Sequence, residues 1–260
     1  MIIHRLCLLS GLTLAALASP GLAAESAGQR YASCLRTANL DPGRALVLAT
    51  EWSKAKGGAP AEHCAAVSLV ELKRYPEAAT RLDALGRAPD MGNLRPEIFD
   101  QAGNAWMLAG DADRAVASFS NALTLSANDA DLYADLARAQ AMQDDWPEVE
   151  SDLNAALALQ PRRADLLVLR ASARSTQNRF IEARTDIEAA LQLSPKNPEA
   201  IMGRGSIKRD SGDLKGARTD YQAALTMNPS AATREEVQRN LAALDAAMQP
   251  KPKPAPAQKK

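Results

Sequence analysis

Few residues in this chain could do chemistry, and their spacing argues against most of it. The sequence holds two histidines, His4 and His63. A serine or cysteine nucleophile needs a histidine base held by a third group, so any such triad here would rest on His63. His63 precedes Cys64, but one histidine and one cysteine fall short of the three or four ligands a zinc site takes. The sequence predicts for His63 an undemanding polar place at a helix start. Cys34 and Cys64 lack Cys-x-x-Cys spacing and an activating neighbour, so a redox pair is not indicated. Gly203-Arg204-Gly205 offers Gly-x-Gly, yet a phosphate-cradling loop needs a strand before it. This stretch reads as helix, and its glycines as close packing. The acids scatter at helix-surface spacing. No catalytic residue, cofactor or metal is expected, and the chain does not read as an enzyme.

Composition narrows the class further. Basic and acidic residues balance at 31 each. A nucleic-acid binder usually shows a basic stripe and a high isoelectric point, so nucleic acid is not an expected partner. Hydrophobics are 46% but aromatics only 4%, so a core must be built from Ala, Leu and Val. That suits closely packed helices.

The element that would position any functional residue is a repeat. Between Pro96 and Ala231 the chain repeats itself every 34 residues. Gly103, Ala137, Ala171 and Gly205 share one column, and Ala115, Val149, Ala183 and Ala217 another. Phe119, Leu153, Ile187 and Tyr221 follow, then Ala122, Ala156, Ala190 and Ala224, each before a leucine. Small residues recur where two helices must approach, and large apolar ones where the layer between them must be filled. Pro161, Pro195 and Pro229 close three units, and Gly110 and Gly212 suit helix ends. Pro96, Pro147 and Pro198 suit helix starts, where a missing N–H costs nothing.

This pattern resembles the tetratricopeptide repeat family, of the secreted bacterial type. Gly103, Trp106, Gly110, Ala115, Phe119 and Ala122 carry the resemblance in the unit PEIFDQAGNAWMLAGDADRAVASFSNALTLSAND. It implies an all-α fold: a right-handed superhelical solenoid of about six helical hairpins plus a C-terminal capping helix. Residues 96–231 would be four regular units. Ala66, Ala78, Leu82 and Leu85 match the same columns 37 residues earlier. Residues 59–95 are therefore a divergent unit with a short insertion near Asn93, and 25–58 a degenerate first hairpin. Arg170 and Arg204 depart from the family in a column where Ala102 and Leu136 are apolar. They either snorkel outward or pair with acids such as Asp186 or Asp220.

The resemblance also implies a groove lined by the first helix of each unit. Carried over by repeat position, it would include Asp100, Asn104, Met107, Asp131, Asp135, Arg138, Met142, Asp165, Leu169, Glu199, Met202 and Arg209. Acids outnumber bases there, and Met107, Met142 and Met202 add an adaptable apolar element. The family's carboxylate-gripping members use Lys, Asn and Arg at such places. Asp100, Asp131 and Asp135 argue against that role and for a segment that is apolar with some basic residues.

The ends carry their own signals. Residues 1–24 read as a secretory signal peptide: His4 and Arg5, an apolar run from Leu6 to Ala18, then small residues, with cleavage after Ala23 or Ala24. The run is too short for a spanning helix, and Cys7 has no lipobox, so no stable membrane span is expected once the segment is cleaved. A secreted chain left with Cys34 and Cys64 favours a disulfide. On the repeat alignment both lie on first helices of neighbouring hairpins. Residues 232–248 read as the capping helix, with Thr233 before Glu235 and Glu236 as its start. Residues 249–260, QPKPKPAPAQKK, read as an extended, disordered tail. Its four lysines leave 26 basic against 31 acidic residues between signal and tail. The expected role is a periplasmic protein–protein interaction scaffold or assembly factor with a protein or peptide in the groove. The alternative is an envelope structural factor whose tail touches peptidoglycan or anionic lipid.

Overall fold

The computed structural model describes residues 26–248. The expected signal segment and tail lie outside these residues. Thirteen α-helices follow one another among the described residues. They pair as α1 (Ala27–Leu40) with α2 (Pro42–Lys54), α3 (Gly58–Glu71) with α4 (Tyr75–Arg87), and α5 (Arg95–Ala109) with α6 (Ala112–Leu125). Then come α7 (Ala130–Ala141) with α8 (Trp146–Leu159), α9 (Ala164–Thr176) with α10 (Phe180–Leu193), and α11 (Pro198–Asp210) with α12 (Leu214–Thr226). The last helix, α13 (Ala231–Met248), packs on α11 and α12. The fold is an all-α solenoid of six hairpins and a cap. No hairpin can bury its apolar face alone, so each leans on its neighbour.

Local chemistry starts and stops these helices. Asp111, Asp129, Asn197 and Asp213 accept backbone N–H groups at the starts of α6, α7, α11 and α12. Within hairpins the turn needs a left-handed residue, and one column supplies it: Gly110, Asp144, Asn178 and Gly212 have φ of 77°, 59°, 60° and 92°. Glycine, aspartate and asparagine tolerate that region best. The register slip before the regular array is a 3-10 turn, Pro89–Leu94, with Gly92 at φ 49°.

Packing follows a size rule. A Cβ on Gly103 would come within 2.7 Å of the Phe119 ring, and one on Gly205 within 2.9 Å of the Tyr221 ring. Where the facing residue is smaller, Leu153 or Ile187, the column carries Ala137 and Ala171. Trp106, Phe119 and Tyr221 are among the largest fully buried side chains. The helix α7 ends at Ala141, because the chain must turn at Asp144. Two expectations are corrected. The capping helix starts at Ala231, because the Ser230 hydroxyl accepts the Thr233 N–H at 3.1 Å. His63 is not at a helix start: it lies buried in the middle of α3.

Candidate functional site

The first helices α5, α7, α9 and α11 lie in sequence along one face, with α13 beyond them. The expected groove residues fall on these helices or in the turns that end them. They do not form one uniform surface. Met107 and Met202 are half-buried and pack against core clusters, as does Leu169. Met142 is exposed in the turn after α7.

The acids form the electrostatic centre. Asp100 and Asp135 face each other from α5 and α7, and Asn104 donates to Asp100 at 3.2 Å. Burial pushes the Asp100 carboxyl up to about 6, helped by the nearby charges of Asp135, Asp129, Glu97 and Asp131. Burial also raises Asp135, while Arg138, which donates to it, pulls the other way. A carboxyl so perturbed inside a cluster of its own sign marks charge that the fold does not neutralise itself. Asp131 and Asp165 differ: Arg163 holds both, at 3.0 and 2.7 Å. That contact keeps the Asp165 carboxyl below its ordinary range. Sequence reasoning missed Arg163. Its signal was an arginine in the column where Asp129 and Asn197 cap their helices.

Behind this face runs a second polar array, between the two helices of each late hairpin. Arg170 holds buried Asp186 through two hydrogen bonds of 2.9 and 2.7 Å, and Arg204 holds Asp220 in the same way at 3.0 and 2.7 Å. The two arginines pair; they do not simply snorkel. Arg174 adds a bond to Asp186 at 2.8 Å and Lys208 one to Asp220 at 2.8 Å. Glu150 ties Arg174 and Arg179 across the α8–α9 boundary. Charges this buried are tolerated because each acid has two or more donors.

At the other end, Cys34 on α1 and Cys64 on α3 are disulfide-bonded, their Cα atoms 6.2 Å apart. Beside them His63 bridges three first helices. Its Nδ1 lies 2.7 Å from the Tyr31 hydroxyl and its Nε2 2.8 Å from Gln101 Oε1. This is a structural tie: both ring nitrogens are engaged. Among the described residues no group of three or more His, Cys, Asp or Glu could hold a metal ion. No helix among them is long and apolar enough to cross a membrane.

The profile of the tetratricopeptide repeat matches residues 164–197 and 198–230. These are the last two hairpins, α9–α10 and α11–α12. These two hairpins are tetratricopeptide repeats. The solved structure of MamA is similar in fold, with 18% identity, TM-score 0.54, and coverage of 67% of this chain and 96% of that one. TTC0263, a thermophilic tetratricopeptide-repeat protein in Thermus thermophilus, gives 19% identity and TM-score 0.55, covering 70% of this chain and 95% of that one. No curated protein matches the sequence at a significant level. At such identities the likeness concerns fold, so function must come from this chain's own side chains.

Two hollows lie between the later helices of the inner face. A cavity of about 280 Å³ lies between α9, α11 and α13, lined by Val168, Ser172, Glu199, Met202, Ser206 and Glu236 among others. A smaller apolar one of about 150 Å³ lies between α7, α8 and α9, under Arg138 and Leu169.

Proposed function

We propose that this protein is a non-catalytic protein–protein interaction scaffold, and that its inner face binds an extended partner segment which is apolar and carries basic residues. The carrying observation is the acid cluster at Asp100 and Asp135. These carboxyls are raised by burial and by neighbouring acids, and an incoming lysine or arginine would relieve that repulsion. Met142 and the apolar hollow under Leu169 supply adaptable contact area beside it. The same acids weigh against capture of a partner's carboxylate.

The scaffold would work outside the cytosol, in the periplasm. The Cys34–Cys64 bond supports an oxidising compartment, and residues 1–24 have the pattern of a secretory signal. The test is in-cell photo-crosslinking from position 142 on the inner face and position 184 on the outer face. The expected result is one discrete adduct from position 142 alone, its trapped segment containing Lys or Arg, and its loss in Asp131→Lys/Asp135→Lys. Unchanged capture by that double variant would remove the inner face as the site.

A further inference from the structure

The cavity between α9, α11 and α13 has a specific origin. Gly203 falls in the column occupied by Gln101, Asp135 and Leu169 in the preceding first helices. Those three positions carry side chains on the inner face; Gly203 carries none. Its neighbourhood is tight on the core side, where a Cβ would meet Ile187 Cδ1 at 3.0 Å. About 280 Å³ stands open beside this bare position.

The lining combines three chemistries. Its floor is apolar, with Val168, Ile187, Met202 and Ile207. Serine hydroxyls at Ser172, Ser175 and Ser206 offer acceptors. Its rim carries Glu199 and Glu236, neither of which has an ion-pair partner among the described residues. Glu199 accepts the Thr233 hydroxyl at 2.8 Å, which leaves its charge uncompensated. The rim arginine, Arg209, is engaged by Asp210 at 2.7 Å. A flexible aliphatic side chain with a cationic tip matches this lining: a lysine stem over the floor, its ammonium at the rim.

Such side chains stand next in the sequence. The twelve residues 249–260 carry Lys251, Lys253, Lys259 and Lys260, five residues of apolar Pro and Ala between them, and no acid. α13 itself forms one wall of the cavity through Glu236 and Asn240. From Glu236 to the helix end at Met248 is about 18 Å at the helical rise. Twelve residues reach about 40 Å when extended, so the return to Glu236 takes about five or six of them, as far as Lys253.

The geometry points to residues 249–260 of this chain as the occupant of that cavity, with Lys253 inserted between Glu199 and Glu236. As a competitor for partners, the segment rests on the reading of the inner face as the recognition surface. Its docking does not, and is measured without any partner. Tethering sets an effective concentration of order mM, so a contact with an intrinsic Kd of about 1 mM gives half occupancy.

Zero-length carbodiimide crosslinking of the purified full chain, mapped by mass spectrometry, tests this. Mixing unlabelled and 15N-labelled protein separates joins within one copy from joins between copies. The expected result is Lys253 joined to Glu199 or Glu236 within one copy, about five-fold above joins to outer carboxylates such as Glu182 and Glu188, given the local concentration. Gly203→Leu, which installs the side chain of Leu169 in this column, should abolish the join while joins elsewhere persist. Reversing all four lysines to glutamate should speed hydrogen exchange in α11 and α13 but not in α5 to α8. Joins spread evenly over inner and outer carboxylates would overturn the proposal, as a tail reserved for an anionic surface would give. Joins solely between copies, or exchange unchanged by the reversal, would overturn it equally.

Discussion

Asp100→Asn should make the protein more stable at neutral pH and should do so only there. The Asp100 carboxyl titrates near 6 in the fold against 3.8 ordinarily, with burial the largest cause and Asp135 the next. The folded state therefore holds a proton that the unfolded chain has released between those two values. Stability falls as pH rises through that window and stays low above it. A shift of this size corresponds to about 3 kcal/mol before screening. The side chain is only part-buried, and solvent screening brings the figure to about 1–1.5 kcal/mol. Asparagine keeps an acceptor for the Asn104 amide and can donate to Asp135, but carries no charge. Thermal midpoints should rise by about 3–5 °C at pH 7, with no gain at pH 4, where the wild-type carboxyl is already protonated in the fold. Hydrogen exchange in α5 and α7 should slow in parallel. An equal gain at both pH values, or a loss at pH 7, would refute the idea that Asp100 is an uncompensated acid.

Three other perturbations follow from the packing. Replacing Cys34 and Cys64 by alanine reopens a loop of 30 residues and should cost about 3–4 kcal/mol in the chain-entropy model; the loss should show as faster exchange in α1 to α3, with α9 to α12 unaffected. Asp186→Ala leaves Arg170 and Arg174 without their shared buried partner and should cost about 3–5 kcal/mol, read from chemical denaturation; adding Arg170→Leu and Arg174→Met should recover most of it. Gly205→Ala should cost about 1–3 kcal/mol through overpacking against Tyr221, and Tyr221→Leu should make the same alanine nearly neutral; a purely additive double variant would sink the size rule.

What the sequence disclosed depended on whether a contact repeats. Arg170 lies 16 residues before Asp186, and Arg204 lies 16 before Asp220. Arg174 and Lys208 keep the same spacing of 12 to the same acids. Because both helices of a hairpin recur with one period, a partnership inside a hairpin appears as two columns that change together. Gly103 with Phe119 and Gly205 with Tyr221, against Ala137 with Leu153 and Ala171 with Ile187, are the apolar form of the same rule. Contacts between hairpins lack that signature when only one unit makes them. The Arg163–Asp131, Arg179–Glu150 and His63–Gln101 pairs span 32, 29 and 38 residues. None recurs in the next unit, so spacing alone could not reveal them.

The inner face belongs to this second kind. Its column of Gln101, Asp135, Leu169 and Gly203 has no common chemistry, because each of these part-exposed positions meets a different neighbour, His63 for Gln101 and a core cluster for Leu169. The face therefore differs from end to end. The α5–α7 end concentrates acids that repel one another, and the α11–α13 end opens a cavity where a side chain is missing. An extended segment lying along this face would meet the two features in turn, separated by the width of about two first helices, roughly 20 Å at ordinary helix spacing. That distance is about six extended residues. A partner must therefore present its cationic groups at that separation to satisfy both ends at once.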